Sequence, residues 1–194
     1  GNPTLAVIIR SVEFAGSVAS PKNPLPGDLP QVAFSGRSNV GKSSLINTLL
    51  GRTRKKVAHV SSKPGKTQTL NFDRVNNRFF LVDLPGFGYA RAPGPVREGW
   101  KRLVEWYLSR PEGLRGVVHL VDGRHPPFQL DQEMMEYLGD LGLPTLVVLT
   151  KMDRVSKGKR EKTLSRAAAD LGIDPEQLLP FSSKTGEGRE SLLT

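Results

Sequence analysis

The chain predicts an α/β fold: a mostly parallel, six-stranded sheet with one antiparallel edge strand and helices on both faces. Three observations carry this. Strand-like apolar runs alternate with helix-periodic segments, and the later runs, Val117–Val121 and Leu143–Leu149, are continuously apolar, as strands covered on both faces are. The stretch Gly36-Arg37-Ser38-Asn39-Val40-Gly41-Lys42-Ser43-Ser44 stands between an apolar run, Val32-Ala33-Phe34, and a helical continuation, Leu45–Leu50. Finally, each polar motif follows a predicted strand, where ligands gather in open α/β sheets.

Each element has its own warrant. Residues 4–18 alternate loosely between apolar and polar side chains and leave room for an added strand. Pro21, Pro24, Pro26 and Pro30 make 20–30 an extended connector. Residues 1–30 therefore read as an N-terminal extension and connector, and 31–194 as the domain proper. Residues 51–69 are polar, basic and aperiodic, the signature of a functional or mobile loop. Leu70–Val75 and Phe79–Val82 flank Asn76-Asn77, giving two strands and a tight turn. The segment 84–96 is rich in glycine and proline and reads as loop. Val96–Leu108 places Trp100, Leu103, Val104 and Tyr107 on one helical face. Leu130–Leu141 and Glu161–Leu171 read as helices, Leu178–Phe181 as a short strand, and Glu187 onward as a last helix.

Composition narrows the function. A length of 194 residues suits one domain with a substantial core. The absence of cysteine excludes disulfides and thiolate catalysis and agrees with a cytoplasmic setting. No apolar run reaches membrane-spanning length, so no membrane partner is expected. The formal net charge of +9 suggests attraction to a polyanion, nucleic acid first, although a generally basic surface gives the same balance. The excess gathers in Arg52-Thr53-Arg54-Lys55-Lys56 and in Lys157-Gly158-Lys159-Arg160-Glu161-Lys162. Neither run interleaves aromatic residues, so contact with backbone phosphates is expected rather than base stacking.

The nine residues 36–44 fit G-x-x-x-x-G-K-[ST], a phosphate-cradling loop. Gly36 and Gly41 let backbone amides curl inward, and the helix behind adds partial positive charge. Lys42 can reach the outer phosphates, and the Ser43 hydroxyl is placed to ligate magnesium. Arg37, Ser38, Asn39, Val40 and Ser44 complete the loop. Asp83-Leu84-Pro85-Gly86 follows a strand: its carboxylate can hold a magnesium-bound water, and Gly86 can offer its N–H to a γ-phosphate. Thr150-Lys151-Met152-Asp153 follows the 143–149 strand, and an aspartate there can accept both N–H groups on the guanine edge. Adenine presents a different edge, which disfavours an ATP-using protein. The Lys151 stem would pack over the base, and Ser182-Ser183-Lys184 would offer a backbone N–H to guanine O6.

With these motifs in order, the chain resembles the translation-factor-like branch of P-loop GTPases. More closely, it resembles the EngB family (also called YihA or YsxC) of ribosome-biogenesis GTP-binding proteins. The resembling residues are 36–44, Ser61-Ser62-Lys63-Pro64-Gly65-Lys66-Thr67-Gln68-Thr69-Leu70-Asn71-Phe72, 83–90, Val121–Pro127 and 150–153. The resemblance implies a three-layer P-loop GTPase domain that binds GTP and GDP with magnesium. It implies that Thr67, beside Gly65 in the nucleotide-binding loop, ligates magnesium and closes over the γ-phosphate. Lys42, Thr67 and Gly86 would then carry catalysis. It also implies a monomer whose partner is ribosomal RNA on a large-subunit precursor.

Two departures from signalling GTPases bear on mechanism. Phe87 stands where those proteins carry a water-orienting glutamine, so intrinsic hydrolysis is expected to be slow or assisted. Asn39 can be read in two ways, as a potassium ligand that replaces an arginine finger or as a residue bonding its own loop. Residues and resemblance together give a GTP-driven molecular switch with slow magnesium-dependent hydrolysis in large-subunit assembly, whose segments 52–70 and 84–96 order when γ-phosphate is present; the alternative is an RNA-binding assembly module that holds nucleotide as a structural ligand. His59, His119 and His125 lack metal-ligand spacing, and Trp100, Trp106 and Tyr107 are expected to pack in the core.

Overall fold

The computed structural model describes residues 7–51, 68–87, 94–110 and 112–193. Seven strands form one sheet in the order β1-β3-β4-β2-β5-β6-β7. They are β1 (Val12–Val18), β2 (Gln31–Gly36), β3 (Leu70–Val75), β4 (Phe79–Asp83), β5 (Leu114–Asp122), β6 (Thr145–Thr150) and β7 (Leu178–Pro180). The helices are α1 (Lys42–Leu50), α2 (Gly94–Leu108), α3 (Gln129–Asp140), α4 (Arg160–Leu171) and α5 (Arg189–Leu193). β3 runs antiparallel to both of its neighbours, and every other pairing is parallel.

The strand count corrects the expected six, and the antiparallel strand lies one in from the edge. Asn76 explains both differences. With Asn77 it occupies the β3–β4 turn, which Arg78 N closes by donating to Val75 O (2.9 Å), and both asparagines hold a left-handed φ there, 54° and 53°. Its side chain then reaches out of the turn. The Oδ1 accepts the amides of Arg10 (2.6 Å) and Ser11 (3.1 Å), and the Nδ2 donates to Ile8 O (2.7 Å). That grip delivers β1 alongside β3, so residues before 31 contribute a strand to the sheet.

The sheet separates two cores, and period-two alternation assigns residues to each. Ala33, Val82, Val117 and Val147 face α2, α3 and α4; Phe34, Leu81, Val118 and Val148 face α1 and α5. On α2 the predicted face holds, with Leu103, Val104 and Tyr107 buried. Tyr107 donates its hydroxyl to the buried Gln31 Oε1, and burial pushes its ionisation well above the usual phenol range. Among the described residues no helix is long and apolar enough to cross a membrane.

Candidate functional site: a phosphate cradle joined to a base-reading edge

The C-terminal ends of β2, β4, β5 and β6 gather the predicted motifs at one end of the sheet. β2 ends at Gly36, where a Cβ would lie 2.9 Å from Val40 Cγ1 and 3.2 Å from Leu120 O, so the loop turns only because no side chain is there. The loop then curls through Asn39 (φ 66°) and Gly41 (φ 102°) into α1, whose first residues are Lys42 and Ser43. Gly41 is the N-cap and carries no capping side chain, which leaves the first-turn amides open to an anion. Asn39 and Ser44 are exposed, Arg37 and Ser38 half-buried, and Val40 packs inward.

Asp83, at the end of β4, accepts an ion pair from Lys42 Nζ, which also donates to Leu84 O. Beyond Asp83 the chain continues to lie along the P-loop. Leu84 N donates to Phe34 O (3.0 Å), Phe87 N to Gly36 O (3.3 Å) and Ser38 N to Phe87 O (2.8 Å). Gly86 packs so closely on Ser38 that a Cβ would lie 3.2–3.3 Å from three of its atoms. Together, the tight glycine turn, open helix amides, Lys42, Ser43 and Asp83 suit a nucleoside triphosphate with its magnesium ion. Phe87 is buried, in keeping with a ring that orients no water.

The Thr150–Asp153 motif, expected to read the base, makes contacts that the sequence did not indicate. Thr150 Oγ1 donates to Val40 O (2.7 Å) and Val121 O (3.3 Å), and Lys151 Nζ donates to Asn39 O (3.1 Å). These residues therefore tie β6 to the P-loop, and the Lys151 stem passes beside Gly41. Lys151 is also ion-paired with Asp122 (3.1 Å), and Arg124 reaches the same carboxylate (2.9 Å). Burial opposes ionisation of Asp122, but hydrogen bonds from Arg124 and Lys151 override it and bring the carboxyl down to about 2. Asp122 was legible only as a letter within 121–127; its role needs the fold.

Asp153 sits in a short turn, Met152–Arg154, and its Oδ1 accepts Ser182 Oγ at 2.8 Å. Ser182 is fully buried, accepts Thr185 N, and donates its own amide to Glu187 O. Ser183 and Lys184 are exposed on the same loop. Arg160, which opens α4, forms an ion pair with Glu187 and braces that loop from outside. Gly65 and Thr67 lie outside the described residues, as do the 52–56 basic run and His59. The segments 52–70 and 84–96, expected to respond to γ-phosphate, are described only at 68–70, 84–87 and 94–96.

A glycine-rich cradle ahead of a helix and an acidic Thr-Lys-Met-Asp turn, set side by side at one end of a mostly parallel sheet, define the class as a P-loop GTPase. Comparison with known proteins specifies the class. Residues 31–151 match the family described as "50S ribosome-binding GTPase". A Pelotomaculum thermopropionicum protein named "Probable GTP-binding protein EngB" is 48% identical over 186 residues, covering 95% of this chain and 93% of that one. A Bacillus subtilis protein of the same name is 45% identical over 183 residues, covering 94% and 93%. A crystal structure described as a probable GTP-binding protein engB aligns with TM-score 0.69 at 28% identity, covering 84% of this chain and 94% of that one. The chain belongs to the EngB family of GTP-binding proteins, and it is a GTPase.

Proposed function

We propose that this GTPase is a GTP-driven switch that docks on ribosomal RNA during assembly of the large subunit. The observation that carries the reading is the backbone junction between Asp83–Phe87 and the P-loop. Gly86 rests on Ser38, at the end of the cradle where a γ-phosphate belongs, so its presence or loss is felt directly by the loop that follows. Asp153 selects guanine by accepting its two edge N–H groups, with Ser182 holding the carboxylate in place. Ser183, Lys184 and the Lys151 stem complete the base pocket.

Ser43, Thr67 and Asp83 would hold magnesium, which when bound neutralises charge on the β- and γ-phosphate oxygens. The chain's own work is positioning. P-loop amides and Lys42 seat the phosphates, Thr67 and Gly86 bracket the γ-phosphate, and no side chain at position 87 orients water. Hydrolysis is therefore slow until assisted. Asn39 is a candidate potassium ligand at the loop tip, where its left-handed backbone and exposed side chain also suit a purely local role. Faster turnover in potassium than in sodium supports the ligand; equal rates remove it.

The net charge of +9 and the exposed Lys157, Lys159 and Lys162, which form no ion pair among the described residues, suit RNA phosphates. The protein would act as a monomer in the cytoplasm, where ribosomes are built. Sedimentation with large ribosomal subunits tests the proposal: more protein should pellet with a non-hydrolysable GTP analogue than with GDP. Equal binding in both states would favour the rival, an assembly module that keeps nucleotide as a structural ligand.

A further inference from the structure

His119 lies in the middle of β5 and is completely buried. It is not idle there. Its Nδ1 pairs with Ser35 Oγ at 2.8 Å and its Nε2 with Asp131 Oδ1 at 2.8 Å. Asp131 is buried too, and its other oxygen accepts the Phe128 amide at 2.9 Å, closing the first turn of α3. Burying three polar side chains is tolerable because each finds a partner. With a carboxylate on one ring nitrogen and a hydroxyl on the other, the imidazole cannot rotate in its site.

Phe87 lies on that fixed plane. The two rings are 5.9 Å apart between centroids and inclined by 16°, a stacked pair. Trp100 meets the Phe87 ring from another side at 5.3 Å and 54°, and its Nε1–H donates to Pro85 O at 2.6 Å. The loop from Leu84 to Phe87 is thus gripped twice, by its backbone on the P-loop and by its ring on His119 and Trp100. The connection is close in sequence at both ends. Ser35 precedes the P-loop glycine Gly36, and Phe87 follows the γ-phosphate glycine Gly86.

We propose that His119 is a positioning residue for GTP hydrolysis: its locked imidazole is the plate on which Phe87 seats, and this seat holds Gly86 at the γ-phosphate end of the P-loop. The inference rests on the switch reading above. Any displacement of Gly86 carries Phe87 with it and must slide or unstack the ring. Without the seat, the Gly86 amide wanders, and contact with a γ-phosphate is lost more often than made. GDP offers no γ-phosphate, so its affinity does not depend on this seat.

The test uses two single variants and their combination in the full chain. His119→Gln keeps an amide for the buried polar partners and removes the ring plane; Phe87→Leu keeps an apolar side chain and removes the stack. Folding is checked by thermal unfolding, followed by GDP affinity, GTP-analogue affinity and turnover at saturating GTP. GDP affinity should stay within about twofold, while turnover and the analogue-to-GDP affinity ratio should each fall about two- to tenfold, the range a stacked pair supplies. Phe87→Leu should give a similar fall, and the double variant no more than either alone. The nucleotide-dependent change in tryptophan emission should shrink in each, because Trp100 reports on the same ring. Equal weakening of GDP and analogue, an unchanged ratio, or effects that multiply in the double variant would overturn the proposal. If His119→Gln fails to fold, Phe87→Leu decides by the same ratio. A wild-type protein that does not distinguish the analogue from GDP would sink the switch reading instead.

Discussion

Replacing Thr150 by Val removes one hydroxyl and almost no volume, yet it should loosen the P-loop from the sheet. Thr150 is 3% exposed, and its Oγ1 donates at 2.7 Å to the carbonyl of Val40, the residue before Gly41. A valine methyl cannot replace that donor, so the Thr-to-Val change is not a neutral swap. Leaving a buried acceptor without its partner costs about 1–3 kcal/mol. For a chain of this size, about 2 kcal/mol lowers the melting temperature by about 4–8 °C. Part of the loss should reappear in binding, because nucleotide must then order a looser loop: GDP affinity should fall roughly fivefold to thirtyfold, about 1–2 kcal/mol. Thr150→Ser keeps the hydroxyl and should stay nearer to wild type in both measurements. Thermal unfolding with and without GDP, alongside titration of a fluorescent GDP, reads both effects. A Thr150→Val protein as stable and as tight-binding as wild type, or a Thr150→Ser protein damaged equally, would refute the tether.

Three further outcomes follow from the same geometry. In the proposed base pocket Asp153 accepts two charge-assisted hydrogen bonds from guanine, so with Asp153→Ala GDP affinity should drop at least about a hundredfold while weak ATP binding is unchanged, as read by competition titration. Asp122 has a folded pKa of about 2, below its unfolded value of about 3.9, so the stability it contributes is complete above about pH 4 and lost as pH falls toward 2. Acid unfolding of Asp122→Asn should lack that contribution, and identical acid limbs for the two proteins would remove Asp122 as an anchor for Lys151. Replacing Lys157, Lys159 and Lys162 together by Glu should flatten the salt dependence of RNA binding, with up to about 0.9 in the log–log slope lost for each phosphate contact on a duplex. Nucleotide affinity should not change, and an unaltered slope would place RNA contact elsewhere.

What the sequence made legible was what is written locally. The P-loop, the acidic strand end and the Thr-Lys-Met-Asp loop are each spelled out within a few residues, and each lies where the strand–loop–helix order put it. The Asn76-Asn77 turn was legible for the same reason, because asparagine tolerates the positive φ that the hairpin demands. Contacts between distant positions were not legible. Asn76 binds residues 65–68 positions away, which is how β1 joined the sheet and raised the strand count to seven. His119 is separated by 84 positions from Ser35 and by 12 from Asp131, so no local spacing in the sequence marks the three as partners. Thr150 and Lys151 were assigned to the base pocket by motif, and only the fold adds that they also hold Val40 and Asn39.

The central claim, a GTPase whose choice of base rests on Asp153, is tested most directly by phosphate release from GTP and from ATP measured side by side on the wild-type protein and on Asp153→Ala. The wild type should release phosphate slowly from GTP and at the buffer rate from ATP, and the variant should lose GTP turnover at limiting nucleotide. Equal turnover of the two nucleotides by the wild-type protein, or an undiminished preference for GTP in Asp153→Ala, would contradict it.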